Sequence, residues 1–273
     1  MQTSTPVDLL RLPEKDALVK EFVGKSLQQL RTPAFVEWGA RFRAHVKTHK
    51  TVEGTRLQLV SSANKTNAIV VSTMMEAWKV YNGGLVADGT VKDILYGLPV
   101  AINKIADLST LAEALEAHGA VLRVFIDNVK QVEALDAFEK GKSSSRRWSA
   151  FVKVDGGQKR AGLYPGSPAF SELIKALAAS PVVSVYGFYC HAGNSYASTS
   201  LSQATSFLSS EVEAVNEAAK LATPTLQPSS TDGSTQATKY VLSVGSTPTA
   251  HSASAEARAH LTSLLHGDLE LHA

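Results

Sequence analysis

The chain has 273 residues, with 27 Lys+Arg against 25 Asp+Glu, 44% hydrophobic and 19% charged residues, enough to bury a full core without a disulfide or structural metal. The single cysteine, Cys190, cannot form an internal bridge and favours a reducing, cytoplasmic setting, while a net charge of +2 argues against nucleic acid as a partner. No apolar run reaches the roughly 18 residues of a membrane span, and the N-terminus lacks the layout of a signal peptide, so the expectation is a soluble intracellular protein of one or two domains.

Residues 1–31 read as an N-terminal extension with one helical stretch, Asp16–Leu30, and residues 32–273 as the main domain. Short β-branched runs follow at Phe42–Thr48, Ala68–Met74, Asp93–Pro99, Val121–Asp127, Ser149–Asp155, Val182–His191 and Tyr240–Ser246. The first six of these runs start roughly 30 residues apart, the length of a βαβ unit. Amphipathic segments lie between them, among them Val129–Lys140, Ala169–Ala179 and Leu201–Leu221. Regular alternation of this kind predicts a parallel sheet, and seven strands favour a (β/α) barrel over an open doubly wound sheet. Thr223–Thr238 is rich in Pro, Ser and Thr and predicts a surface loop. Asp268–Leu271 begins to look like another strand just before the last residue, Ala273. The expected fold is therefore an incomplete (β/α)8 TIM-type barrel, truncated before the last strand and left with two unpaired edges.

The most informative segment is Arg43–Thr51, R-A-H-V-K-T-H-K-T. Alternation places Phe42, Ala44 and Val46 on one face and Arg43, His45 and Lys47 on the other, which in a barrel points into the lumen. Barrel enzymes place their chemistry at the C-terminal ends of the strands, where Lys47 falls. Apolar surroundings and neighbouring cations there would favour the free amine needed for a Schiff base. Lys50 is the rival, but it lies past the strand end.

This segment resembles the cofactor-lysine segment of the D-serine dehydratase and D-threonine aldolase family, pyridoxal phosphate (PLP) enzymes with an alanine-racemase-like barrel (fold type III). The resemblance continues through AIVVSTMMEA (Ala68–Ala77), DILYGLPVA (Asp93–Ala101), FVKVDGGQKRAG (Phe151–Gly162), YGFYCHAGNSY (Tyr186–Tyr196) and LSVGSTPT (Leu242–Thr249). It implies that Lys47 carries PLP as a Schiff base and that Arg160 lies near the cofactor's phenolic edge. It also implies that His191 packs on the pyridine ring, with Tyr189 two residues earlier on the same face. Gly245, Ser246 and Thr247 would offer backbone N–H groups and hydroxyls to the phosphate, a role that a small-residue turn after a late barrel strand also suits physically. Asn194 and Tyr196 follow in a loop where ordinary turn chemistry also accounts for them.

The activity implied is that of a lyase converting D-serine to pyruvate and ammonia. A D-threonine-aldolase-like lyase and a non-catalytic PLP-binding barrel are the alternatives. A small D-amino acid would be the substrate and a homodimer the assembly, with neither nucleic acid nor membrane as a partner. Zinc is expected for the family, but its ligands, spaced H-x-C, have no counterpart here. Cys190 belongs to a barrel strand, and His251, His260 and His266 receive no metal role. The family's C-terminal β-domain is missing. Thr32–Val36 resembles the family's first strand and is thereby a candidate strand, but only Glu37–Arg41 separates it from the lysine strand, fewer than the ten or so residues of a parallel crossover. A shortened chain, whose activity is in question, is the expectation.

Overall fold

A computed structural model describes residues 41–59, 66–227, 239–246, 249 and 265–273. Eight parallel strands close into a barrel in chain order: β1 (Arg41–His45), β2 (Ala68–Val71), β3 (Asp93–Pro99), β4 (Val121–Ile126), β5 (Trp148–Lys153), β6 (Val183–Tyr189), β7 (Tyr240–Val244) and β8 (Gly267–His272). The helices α1 (Val52–Leu59), α2 (Met74–Asn82), α3 (Ile105–Glu116), α4 (Val129–Glu139), α5 (Pro168–Ala179) and α6 (Leu201–Leu226) lie between them. Each of the seven expected strands is present, shortened by a few residues at most.

Turn chemistry at the strand exits starts several helices. Thr73 caps α2 by accepting from the Glu76 N–H, and Asn128 forms a reciprocal capping box with Gln131 at α4. Ser167 caps α5 ahead of Pro168, whose missing N–H costs nothing in the first turn, and Ser200 caps α6. Strand residues then divide by parity. Ala44, Ile69, Ile94, Val124, Ala150 and Leu242 pack outward against the helices, while Val70, Leu95, Phe125, Phe151, Tyr189 and Val241 fill the lumen.

The expectation of an open barrel is corrected. β8 pairs with β7 over Tyr240–Val244 and with β1 through Arg41↔Glu270, Phe42↔Leu271 and Arg43↔His272, so neither edge is left free. The start of β8 is visible in the sequence at Asp268–Leu271, but so short a run with charge on one face does not read as the closing strand. Leu269 and Leu271 face the helices, whereas Glu270 and His272 project into the lumen. A buried carboxylate is unfavourable in isolation. Here Arg43, fully buried, donates from Nε to Glu270 (2.9 Å) and from Nη1 to Asp93 on β3 (2.7 Å). Burial pulls the Arg43 pKa down, but the two carboxylates outweigh it and raise it overall. Asp93 also accepts from Arg123 Nε on β4 (2.7 Å), and the Arg123 guanidinium covers the Tyr186 ring on β6.

The loop expected at Thr223–Thr238 starts later than foreseen, because α6 runs on to Leu226. Pro224 is tolerated because it sits in the last turn, where few helical bonds remain to be lost, and Gln227 N–H still reaches the Thr223 carbonyl (2.9 Å). The remainder of that loop, the helical stretch Asp16–Leu30 and the candidate strand Thr32–Val36 lie outside the described residues.

Removing Arg43 leaves the buried Glu270 carboxylate without a countercharge and Asp93 with Arg123 alone. Arg43→Met should therefore destabilise the barrel by about 3–5 kcal/mol. Urea unfolding followed by circular dichroism measures this, and an unchanged midpoint would show that the ion pairs do not hold the barrel closed.

Candidate active site

The strand exits on the C-terminal side of the barrel gather the chemistry-bearing side chains. Lys47 follows β1 in a turn, exposed, and forms no ion pair among the described residues. Lys50, its rival, adopts a left-handed backbone (φ 54°), and its Nζ lies 3.7 Å from Glu76 Oε1. Glu76 is itself buried and fixed by the Ser72 N–H at 2.6 Å. Lys50 is thus drawn toward α2, leaving Lys47 as the uncommitted amine.

Below Lys47 lie three imidazoles and a phenol. His45 Nε2 meets the Tyr189 hydroxyl at 3.1 Å, and the Tyr189 ring stacks on His272 with centroids 3.9 Å apart. The His45 and His191 rings lie 5.5 and 5.7 Å from His272. Burial first, then the positive charge of Lys47, brings the His45 pKa down to about 3. Burial also lowers His191 to about 4 against the opposing pull of the Gly245 carbonyl, with Lys153 and Lys47 adding to the fall. His272 is pushed well down by burial and by its neighbours His45 and His191. All three rings are neutral, and the burial that keeps them so raises the Tyr189 hydroxyl.

Hydrogen bonds fix two of the tautomers. A carbonyl only accepts, so His191 Nδ1, 2.7 Å from the Gly245 oxygen, carries the proton and leaves Nε2 bare. Ser243 donates its one hydroxyl proton to Glu270 (2.8 Å) and therefore accepts from His272 Nδ1 (3.1 Å). His272 Nε2 is then also bare, and it is buried without a partner, as is His45 Nδ1. A line of bonds thus runs from Arg43 through Glu270 and Ser243 to His272.

The exits of β6 and β7 meet at Gly245. Its φ of +140° suits glycine, and a Cβ there would come within 2.2 Å of the His272 carbonyl oxygen. Ser246 is buried, and its hydroxyl bonds Ser195 (2.6 Å) and Thr249 (2.9 Å). The N–H groups expected to meet a phosphate are already engaged, Gly245 by Glu211 Oε1 (3.4 Å) and Ser246 by Thr249 Oγ1 (2.8 Å). Thr247 lies outside the described residues. Arg160 is exposed in the loop after β5, with Nη1 close against Gly193: a Cβ there would lie 3.1 Å away. Asn194 is exposed in the 3-10 turn Gly193–Ala197, and Tyr196 is 47% exposed there.

The structure therefore brings Tyr189, His191 and Gly245 together, with the Lys47 and Arg160 charges near enough to act on His191. Sequence reasoning missed Lys153, His272 and Glu211 and gave His45 no role in the chemistry. Lys153 ends β5 with Nζ 4.2 Å from the Tyr189 centroid and 4.8 Å from that of Phe125. Burial lowers its pKa to about 8 against the opposing pull of Cys190 and Glu211. Its signal was available, since Ser149, Phe151 and Lys153 alternate as Arg43, His45 and Lys47 do.

Buried ring nitrogens without partners are costly unless a bound group or water meets them. A planar heteroaromatic aldehyde such as PLP fits this set, with Lys47 for its carbonyl and the imidazoles beside its ring. Zinc finds no such fit: among the described residues no group of three or more His, Cys, Asp or Glu side chains is arranged to hold a metal ion.

Because these imidazoles are neutral when folded and protonate near pH 6.5 when unfolded, their contribution to stability is present above about pH 6.5 and lost as acid drives the pH toward their folded values. In proton NMR the ring resonances of His45 and His191 should stay constant from pH 8 down to about 5. A titration midpoint near 6.5 would contradict their burial as neutral rings.

Comparison with known proteins agrees with this geometry. Residues 25–247 match the family profile "Alanine racemase, N-terminal domain". The chain is 42% identical to D-serine dehydratase of Schizosaccharomyces pombe over 95% of its own length and 63% of the relative's. It is 40% identical to D-serine dehydratase of Saccharomyces cerevisiae, over 85% and 55% of the two chains. It thus spans less than two thirds of the length of these relatives. Among solved structures, D-threo-3-hydroxyaspartate dehydratase from a Delftia species superposes with a TM-score of 0.63 at 26% identity, over 86% of this chain and 53% of that one. A closed parallel barrel with a free lysine amine at the exit of its first strand, matched along most of its length by that profile, places this chain in the alanine racemase N-terminal domain family.

Proposed function

We propose that this barrel is the cofactor-binding part of a PLP-dependent D-amino-acid lyase of the D-serine dehydratase type, releasing pyruvate and ammonia from D-serine. The observation that carries the reading is the uncommitted Lys47 amine at the exit of β1, above a cluster of neutral imidazoles. The two fungal D-serine dehydratases support the choice of reaction.

When bound, PLP supplies an electron sink for the pair left at Cα after its proton departs. Lys47 Nζ would hold the cofactor's aldehyde carbon and, as a free amine, would be placed to take the Cα proton. His191, its Nδ1 proton held by Gly245, would pack on the cofactor's ring and present the bare Nε2. Arg160 would lie toward the phenolic edge, and Tyr189, stacked on His272, would line the site. Ser246 and Thr247 would offer N–H groups and hydroxyls to the phosphate beside the Gly245 turn, Ser246 by exchanging its present bond to Thr249, while the Gly245 N–H stays with Glu211. The β-hydroxyl would leave as water with the proton taken from Cα, and hydrolysis of the remaining enamine would give pyruvate and ammonia.

The lone buried thiol of Cys190 supports a cytoplasmic location, and among the described residues no helix is long and apolar enough to cross a membrane. Leu98 near the end of β3 and Met75, Ile102, Tyr164 and Tyr196 beyond strand exits stand exposed, which supports a homodimer covering them.

Borohydride reduction of the PLP-treated protein followed by peptide mapping should place the adduct on Lys47, and Lys47→Ala should lose both the adduct and pyruvate formation. An adduct on Lys50 or Lys153, or none, overturns the assignment. Pyruvate from D-serine identifies the dehydratase, glycine from D-threonine the aldolase, and an adduct without either product a barrel that only carries the cofactor.

A further inference from the structure

Glu211 lies in the middle of α6, 2% exposed, on the helix that follows the β6 exit. Nothing in the expected chemistry uses it, yet its carboxyl reaches the junction where the β6 and β7 exits meet. Oε1 accepts a short hydrogen bond from the Ala192 N–H and a longer one, 3.4 Å, from the Gly245 N–H. Ala192 directly follows His191, and the Gly245 carbonyl is the acceptor of the His191 ring proton at 2.7 Å. The bonds therefore close a ring from Glu211 to Ala192, along the chain to His191, across to Gly245 and back to Glu211.

We propose that Glu211 is a positioning residue of this site, tying the exits of β6 and β7 together and thereby fixing the tautomer and direction of the His191 ring. The physical logic is that of an outer-shell acceptor, which orients a functional imidazole without touching the group it serves. Without the shared oxygen, the 244–245 peptide loses its acceptor, and the Gly245 φ and ψ that join it to the carbonyl facing His191 Nδ1 are held only from the Ser246 side. The ring then loses the bond that keeps Nε2 bare, and the two loops lose their common anchor.

The surroundings suit an acceptor that need not be charged. Burial raises the Glu211 pKa to about 7, opposed by the Ala192 and Gly245 N–H groups, by Thr249 and by Lys153. Tyr189 and Cys190 on β6 and its exit also feel its charge. A carboxyl oxygen accepts from both amides in either protonation state, so glutamine at this position should do the same work.

The test uses the full chain and two readouts. In ¹⁵N NMR, wild type and Glu211→Gln should both show His191 as the Nδ1–H tautomer. Glu211→Ala should show a mixed or Nε2–H tautomer, and its PLP dissociation constant should rise about ten-fold or more, with Glu211→Gln close to wild type. A wild-type proton on Nε2 overturns the proposal on its own, even if Glu211→Ala fails to fold. So does an alanine variant with wild-type tautomer and affinity, or a glutamine variant as impaired as alanine. The affinity arm rests on the cofactor reading above and the tautomer arm does not. Failure of wild type to bind PLP therefore counts against that reading and leaves the Glu211 test standing.

Discussion

The Arg43 guanidinium is the point on which the barrel turns. It projects from β1 into the lumen and is neutralised by Glu270 on β8 and Asp93 on β3, so one side chain joins the strand that opens the ring to the strand that closes it. Arg43 and Glu270 are costly in that position without each other, since the penalty for burying one charge alone is several kcal/mol, while Asp93 has a second cation in Arg123. Arg123 and the Tyr186 ring extend the network across β4 and β6. The network demands a particular strand order, because a β8 displaced by one residue would turn Glu270 out among the helices and Leu271 into the polar lumen.

The same network reaches the candidate site. Glu270, held by Arg43, orients Ser243, and Ser243 in turn sets the proton of His272. Structure and chemistry here share a side chain, so the carboxylate that helps close the barrel also decides which nitrogen of an imidazole is bare. Around it β1, β6 and β8 present neutral rings, and the Lys47 and Lys153 charges act on His45 and His191. Burial holds the imidazoles neutral and the two amines reinforce that state, an arrangement suited to stacking against a planar ring rather than binding an anion.

Much of this was legible beforehand, for one reason: strand parity. Alternation in Phe42–Lys47 assigned Arg43 and His45 to the lumen and Ala44 and Val46 to the helices, as observed. The spacing of β-branched runs located seven strands. The eighth showed its start at Asp268–Leu271 but not its place in the ring, because Glu270 and His272 look like surface residues when their partners, more than two hundred positions away on β1, are unknown. Lys153 obeyed the same parity rule and was overlooked because nothing local distinguishes a lumen lysine from a solvated one. Glu211 carried no signal at all, since on α6 it is one more polar residue in an amphipathic helix.

What the amino-acid order determined by itself is local: helix caps at Thr73, Asn128, Ser167 and Ser200, the alternation of each strand, and a glycine at 245 where the backbone needs one. These follow from bonds and sterics within a few residues of chain. Tertiary structure alone decided that the ring closes, that Lys50 is drawn to Glu76 while Lys47 stays uncommitted, and that three histidines share one dry neighbourhood. Charge pairing, burial and the resulting tautomers depend on groups from different strands meeting in a medium that screens them poorly. That meeting exists only once the barrel has formed.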